Sequence, residues 1–212
     1  MFSMFLISSS FAQISFGNED NDLITEWGTF GVVEPGHFSY PQFVAVSDDD
    51  GSIYVSDFGN KRIQKFSSNG EYVADWGQSG KQAGNFYNPS GIAVGVDSDF
   101  VVDRDLNRIQ KFSLDGEFIS TWGTKGTGEG QFLYPNGIAI NDEILYVVDT
   151  GNQRIQTFST DGEFISSFGS SGLGPGKFLN VVGIDVDADG NVYVTDKGNS
   201  NCLLYTSDAA DD

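Results

Sequence analysis

Hydrophobic residues in this chain fall in short runs that are broken by turn-forming residues. Between positions 137 and 169 four such runs follow one another: "GIAI" (137–140), "EILYVVD" (143–149), "RIQTFS" (154–159) and "EFISSFG" (163–169). Asn141-Asp142, Thr150 to Gln153 and Asp161-Gly162 separate them, and these residue types tolerate tight or left-handed backbone. The pattern predicts four short antiparallel strands. Successive side chains of a strand point to opposite faces. Ile144, Tyr146 and Val148 therefore share one face and Leu145 and Val147 the other, while Ile155 and Phe158 also lie on opposite sides. A sheet that is apolar on both faces belongs between two other layers. The fourth run is more polar, as expected at an outer rim.

The same pattern recurs along the chain. Arg-Ile-Gln stands at Arg62, Arg108 and Arg154, 46 residues apart each time. Gly-x-Phe recurs at Phe38, Phe86, Phe132 and Phe178, and an aromatic-Gly pair closes units at Trp27, Trp76, Trp122 and Phe168. Four strands per unit at a fixed period are the count of a propeller blade, so the expected fold is an all-β propeller of four-stranded antiparallel blades. The residues that carry the period, Phe-x-x-Pro-x-Gly-Ile-Ala-Val, Tyr-Val-x-Asp and Asn-x-Arg-Ile-Gln-x-Phe, resemble the NHL repeat over about residues 23–199. That resemblance implies a β-propeller whose usual members have six blades. Phe43 replaces the expected Gly in the first copy, Val181 the Pro in the fourth, and Asp105 stands where other copies have Gly59 or Gly151.

The repeats divide the chain. Residues 1–22 read as a secretory signal peptide and leader, 23–199 as the propeller, and 200–212 as a tail that resembles translated sequencing-adaptor sequence. Within the propeller, "LITEWG" (23–28) reads as a fourth strand without its first three; complete blades end near 77, 123 and 169, and a partial fourth begins at Phe178. Two arrangements are compatible with this. Either "CLLYTS" is a degenerate third strand and the N-terminal stretch closes a four-bladed ring, or the blades are part of an incomplete six-bladed ring. The second is expected, because four blades lie at the small limit of propellers and six units of 46 residues exceed the chain's 212.

Composition supports strands: 27 glycines and many aromatics accompany few strong helix formers. Charge changes the picture of partners. Thirty acidic residues against 11 basic ones give a net charge of -19, which repels nucleic acid and anionic membrane, and the longest basic cluster is Lys61-Arg62. The single Cys202 excludes an internal disulfide and a cysteine zinc cage. The leader is too short to span a bilayer and places the protein outside the cell or at its surface.

Candidate chemistry is sparse. "DVDADGNVYVTD" puts Asp185, Asp187 and Asp189 at calcium-loop spacing, making them weak metal candidates and calcium the one cofactor to consider. The same stretch reads better as a strand hairpin. Asp57, Asp103, Asp149 and Asp196 end every second strand, and Arg62, Arg108 and Arg154 start the third. Recurrence in every copy marks them as structural framework, since catalysis needs one asymmetric constellation. The sole histidine, His37, cannot build the multi-histidine zinc site of the NHL-like amidating lyase. No catalytic residue is identified.

Contact residues need not recur, so positions that differ between copies are the binding candidates. These are Gln42, Ser90 and Asn136 before the first strands, Phe58, Arg104, Thr150 and Lys197 after the recurring Asp, and the aromatics Tyr40, Tyr87 and Tyr134. Loop order gathers them on one face near the channel. The resulting expectation is a non-enzymatic scaffold that binds a protein, peptide or glycan, with open blade ends able to self-associate. The alternative is a metal-dependent hydrolase or lyase like the six-bladed gluconolactonase or streptogramin-lyase propellers.

Overall fold

The alternation of apolar side chains is resolved as a series of radially packed sheets in a computed structural model, which describes residues 25–32 and 34–206. The leader expected over 1–22 lies outside the described residues. In chain order, β1 (Thr29–Phe30) and β2 (His37–Phe38) form a short parallel pair that leads into blade 1. Blade 1 is β3 (Pro41–Val46), β4 (Ile53–Asp57), β5 (Arg62–Phe66) and β6 (Tyr72–Trp76). Blade 2 is β7 (Pro89–Val94), β8 (Ser98–Asp103), β9 (Arg108–Ser113) and β10 (Phe118–Trp122). A second parallel pair, β11 (Thr124–Lys125) with β12 (Gln131–Phe132), precedes blade 3: β13 (Ile138–Asn141), β14 (Ile144–Asp149), β15 (Arg154–Ser159) and β16 (Phe164–Phe168). A third pair, β17 (Ser170–Ser171) with β18 (Lys177–Phe178), precedes blade 4: β19 (Val181–Val186), β20 (Val192–Asp196) and β21 (Asn201–Tyr205). All strands within a blade are antiparallel neighbours in chain order, as the turn residues require.

Three apolar clusters fill the seams. Tyr54, Ile63, Phe86, Ile92 and Val101 join blades 1 and 2, and Phe100, Ile109, Phe132, Leu145 and Phe158 join blades 2 and 3. Val148, Ile155, Phe178, Val181 and Val194 join blades 3 and 4. Each fully buried Phe, Ile or Leu contributes roughly 1.5–3 kcal/mol, so the seams carry most of the stabilisation that a lone blade lacks.

The recurring aromatics have repeated places. Phe38, Phe86 and Phe132 tilt against Phe66, Phe112 and Phe158 at centroid distances of 5.6, 5.5 and 5.5 Å. Trp76 and Trp122, at the ends of fourth strands, cross to the following blade and lie against Phe112 and Phe158 at 6.3 and 6.2 Å. Trp27 does the same to Phe66 of blade 1 at 6.1 Å. The N-terminal stretch thus takes the place of a preceding blade's last strand. Among the described residues it does not pair with blade 4.

The propeller extends past the expected boundary at 199. Residues 201–205 pair along β20 in the register Asp196↔Asn201 to Val192↔Tyr205, which matches Asp57↔Arg62 to Ile53↔Phe66 in blade 1. Alternation explains the fit: Leu203 and Tyr205 turn into the seam with blade 3, while Cys202 and Leu204 are exposed. The outward sheet faces at the two ends, with Val44 and Val46 on blade 1 and Tyr193 and Leu204 on blade 4, are open to solvent.

Candidate functional site

The recurring aspartate builds the end of the propeller where crossovers and the second-to-third-strand turns meet. Asp149 is fully buried and accepts the Leu133 amide at 2.8 Å, Asn152 Nδ2 at 2.8 Å, Arg154 Nε at 2.9 Å and Gln156 Nε2 at 3.1 Å. Asp57 repeats this with Ser39, Asn60, Arg62 and Gln64. The Arg-Ile-Gln triplet follows from the same geometry. Arg62 and Gln64 both donate to the His37 carbonyl, Arg108 and Gln110 to that of Asn85, and Arg154 and Gln156 to that of Gln131, while the intervening Ile fills the core. Each staple ties a crossover to its blade.

Two copies deviate. In blade 2, Asp105 and Leu106 replace the Gly-Asn of the other turns, so Asp103 lacks the asparagine side-chain donor and, among the described residues, holds the Tyr87 and Asn88 amides and Arg108. Burial raises the Asp103 carboxyl above its ordinary range, against the pull of those amides and the guanidinium. In blade 4, Asn201 replaces the arginine. Burial raises Asp196 too, but amides of Asn180, Leu179, Asn199 and Gly198 outweigh it and hold the carboxyl low.

On this framework the crossover face carries the copy-variable residues. Backbone bonds from Gly59 to Ser39, Arg104 to Asn88, Gly151 to Leu133 and Lys197 to Asn180 bring each turn beside a strand entry. Arg104 lies over the Tyr134 ring of the next blade at 5.6 Å, so the structure unites two of the expected residues. Asn107, which the sequence did not single out, holds Tyr134 in place by accepting its amide at 2.8 Å. Lys61, also not singled out, sits 3.7 Å over the Phe58 ring. Gln42 and Lys197 are exposed, Asn136 is half-buried, and the Thr150 hydroxyl is spent on the Val181 carbonyl across the blade 3–4 seam at 2.9 Å.

Two expectations need correction. Ser90 is not on the face: it is fully buried and donates to the Asn136 carbonyl at 3.2 Å, because the innermost strands of blades 2 and 3 pack directly on each other. The three tyrosines are not equivalent either. Tyr40 and Tyr134 stand directly before a proline with φ of 51° and 50°, whereas Tyr87 stands one residue earlier, where the other copies have Ser39 and Leu133. All three rings remain exposed.

The calcium-spaced residues form a hairpin. Asp187 accepts the amides of Asp189 and Asn191, the Asn191 side chain and the Tyr193 hydroxyl, and Val192–Asp196 follows as strand. Those hydrogen bonds lower the Asp187 carboxyl, the Asn191 side chain foremost. Asp185 caps the amide of Val186. Among the described residues no group of three or more His, Cys, Asp or Glu is arranged to hold a metal ion.

The net charge is not evenly spread. At the opposite end, every charged residue in the hairpins of residues 47–52, 95–97, 142–143 and 187–191 and in the turns of 67–71, 114–117 and 160–163 is acidic. The crossover face carries Lys61, Lys81, Arg104, Lys125, Lys177 and Lys197 against Glu34, Asp105 and Glu129. Repulsion of anions argued from the total charge therefore describes the hairpin face and not the crossover face, since the two are separated by more than a Debye length of about 8 Å. Among the described residues no helix is long and apolar enough to cross a membrane.

Comparisons with known proteins agree with this architecture. The NHL repeat profile matches residues 38–66, and a profile described as a 6-bladed beta-propeller matches residues 131–210. Peptidylglycine alpha-amidating monooxygenase of Rattus norvegicus is 36% identical over 84 residues, 34% of this chain and 9% of that protein. Protein brain tumor of Drosophila melanogaster is 38% identical over 69 residues, 32% of this chain and 6% of that protein. A solved streptogramin B lyase superposes with a TM-score of 0.56 at 20% identity, covering 78% of this chain and 54% of that one. The chain thus spans less than a tenth of those two relatives and about half of the lyase structure. With its staples, its register and its repeats in agreement, the chain has a β-propeller fold and carries an NHL repeat at residues 38–66.

Proposed function

We propose that this propeller is a non-enzymatic binding scaffold that works outside the cell or at its surface and presents its crossover face to a protein, peptide or glycan. The observation that carries the reading is that Arg104 lies over the exposed Tyr134 ring, on the face that also exposes Tyr40 and Tyr87, where the copies differ and the charge turns basic. Aromatic rings and arginine supply contact area and directed hydrogen bonds at little entropic cost, which is why they dominate binding hot spots. The engagement of Asp57 and Asp149 by several donors each supports a structural role for the framework carboxylates.

The second reading, a metal-dependent hydrolase or lyase, is favoured by the fold shared with streptogramin B lyase. Panning a random peptide library and a glycan array against the full chain, then against an Arg104→Ala/Tyr134→Ala variant, tests the first. Selected binders should lose at least tenfold in affinity for the variant while circular dichroism is unchanged. Retention within twofold for all of them would sink the assignment of the face, and stoichiometric calcium uptake by titration calorimetry would move the balance to the second reading.

A further inference from the structure

The second strands of the four blades carry Ile53, Asp99, Leu145 and Val192 at one equivalent place, opposite Phe66, Phe112, Phe158 and Tyr205 on the third strands. In blades 3 and 4 this residue fills the seam with the preceding blade as part of its apolar cluster. In blade 2 it is a carboxylic acid. Asp99 is 0% exposed, and among the described residues neither of its oxygens has a hydrogen-bond partner.

Blade 1 meets it with two polar groups, Lys65 of β5 and Tyr54 of β4, and Asp50 of the β3–β4 turn acts electrostatically on both. Within blade 2 the residues paired beside it, Val94 and Phe112, are apolar. Lys65 is engaged elsewhere: its ammonium donates to the Leu114 carbonyl at 3.2 Å and lies 5.1 Å from the Tyr54 ring centre. A carboxylate so placed is shut off from bulk solvent and makes no ion pair among the described residues, so its charged form is strongly disfavoured. Burial pushes the acid up to about 8, with Lys65 pulling the other way.

We propose that the seam between blades 1 and 2 is a proton-controlled joint: Asp99 closes it as the neutral acid, and loss of the proton to solvent draws in water or Lys65 and loosens this seam alone. The 2–3 and 3–4 seams, with Leu145 and Val192 at the same place, lack the device. Because the acid is harder to ionise in the closed seam than in the open one, closure is strongest at or below the ordinary carboxylate range. It weakens about tenfold in the opening equilibrium per pH unit as pH climbs toward 8, then levels off.

Trp76 reports on this seam, being 8% exposed and 6.0 Å from Tyr54. In a Trp27→Phe/Trp122→Phe background, acrylamide quenching of Trp76 should rise severalfold between pH 6 and pH 9. It should be flat when Asp99→Leu, the residue blade 3 already uses, or Asp99→Asn is added. The infrared band of a protonated carboxylic acid should be present at pH 6 and reduced in Asp99→Asn. A quenching profile that is flat in the parent, or that persists unchanged in both variants, overturns the proposal, as does the absence of the acid band.

Discussion

Replacing Gly116 by alanine tests how neighbouring blades are locked. Gly116 closes the β9–β10 turn with φ of +84°, and a Cβ there would stand 2.7 Å from the Trp76 ring of the preceding blade. Two costs combine. A left-handed backbone costs an L-residue about 1–2 kcal/mol, and forcing extra volume into a packed site costs about 1–3 kcal/mol. Trp76 has little room to retreat, since it is held between Tyr54 at 6.0 Å and Phe112 at 6.3 Å. Gly116→Ala should therefore lower stability by ~2–5 kcal/mol. Gly130 supplies the control: its φ is +69°, a Cβ would meet nothing within 4 Å, and its amide still donates to Gln156. Gly130→Ala carries the backbone cost alone. Urea melts followed by circular dichroism and tryptophan fluorescence give the comparison, read from midpoints at constant slope. Gly116→Ala should be the weaker of the two by at least ~1 kcal/mol. Equal losses would refute the inference that the Trp–Gly contact locks adjacent blades.

Other perturbations address the staples and the buried acid. Asp149→Ala strips the shared partner from Leu133, Asn152, Arg154 and Gln156 and should cost ~3–5 kcal/mol in a urea melt. Asp99→Leu should stabilise the protein in a pH-dependent way: the parent loses stability as pH rises from the ordinary carboxylate value of 3.8 to about 8, while the variant stays level. At ~1.4 kcal/mol per unit, the difference above pH 8 is at most ~6 kcal/mol; parallel melting curves at pH 5 and pH 9 would contradict it. Leu145→Asp should transplant the same pH slope to the 2–3 seam, read from melts at those two pH values.

The blade was legible because its causes are local and stated repeatedly. Strand alternation around Val147 and Ile155, the turn at Asp161-Gly162 and the recurring Asp, Arg and Gln depend on neighbours within one unit, and the near copies expose the period. The third strand of blade 4 was harder to read, since Asn201, Cys202 and Leu203 stand where other copies have Arg-Ile-Gln; only the apolar alternation of Leu203 and Tyr205 remained as a signal.

Burial of the variable residues was not legible, because another blade decides it. Ser90 looks like a surface candidate within its own unit and is buried by blade 3; Asp99 carries no signal within its own unit and is sealed against blade 1. The repeats did contain a hint, since Asp99 aligns with Ile53, Leu145 and Val192. Likewise the total charge of -19 conceals a molecule with an acidic hairpin face and a basic crossover face. The sequence by itself determined the blade, its period and its staples, which rest on short-range hydrogen bonding and alternation. Only the tertiary structure decided which side chains meet across seams and which reach solvent, because desolvation and charge are set by what lies through space and not along the chain.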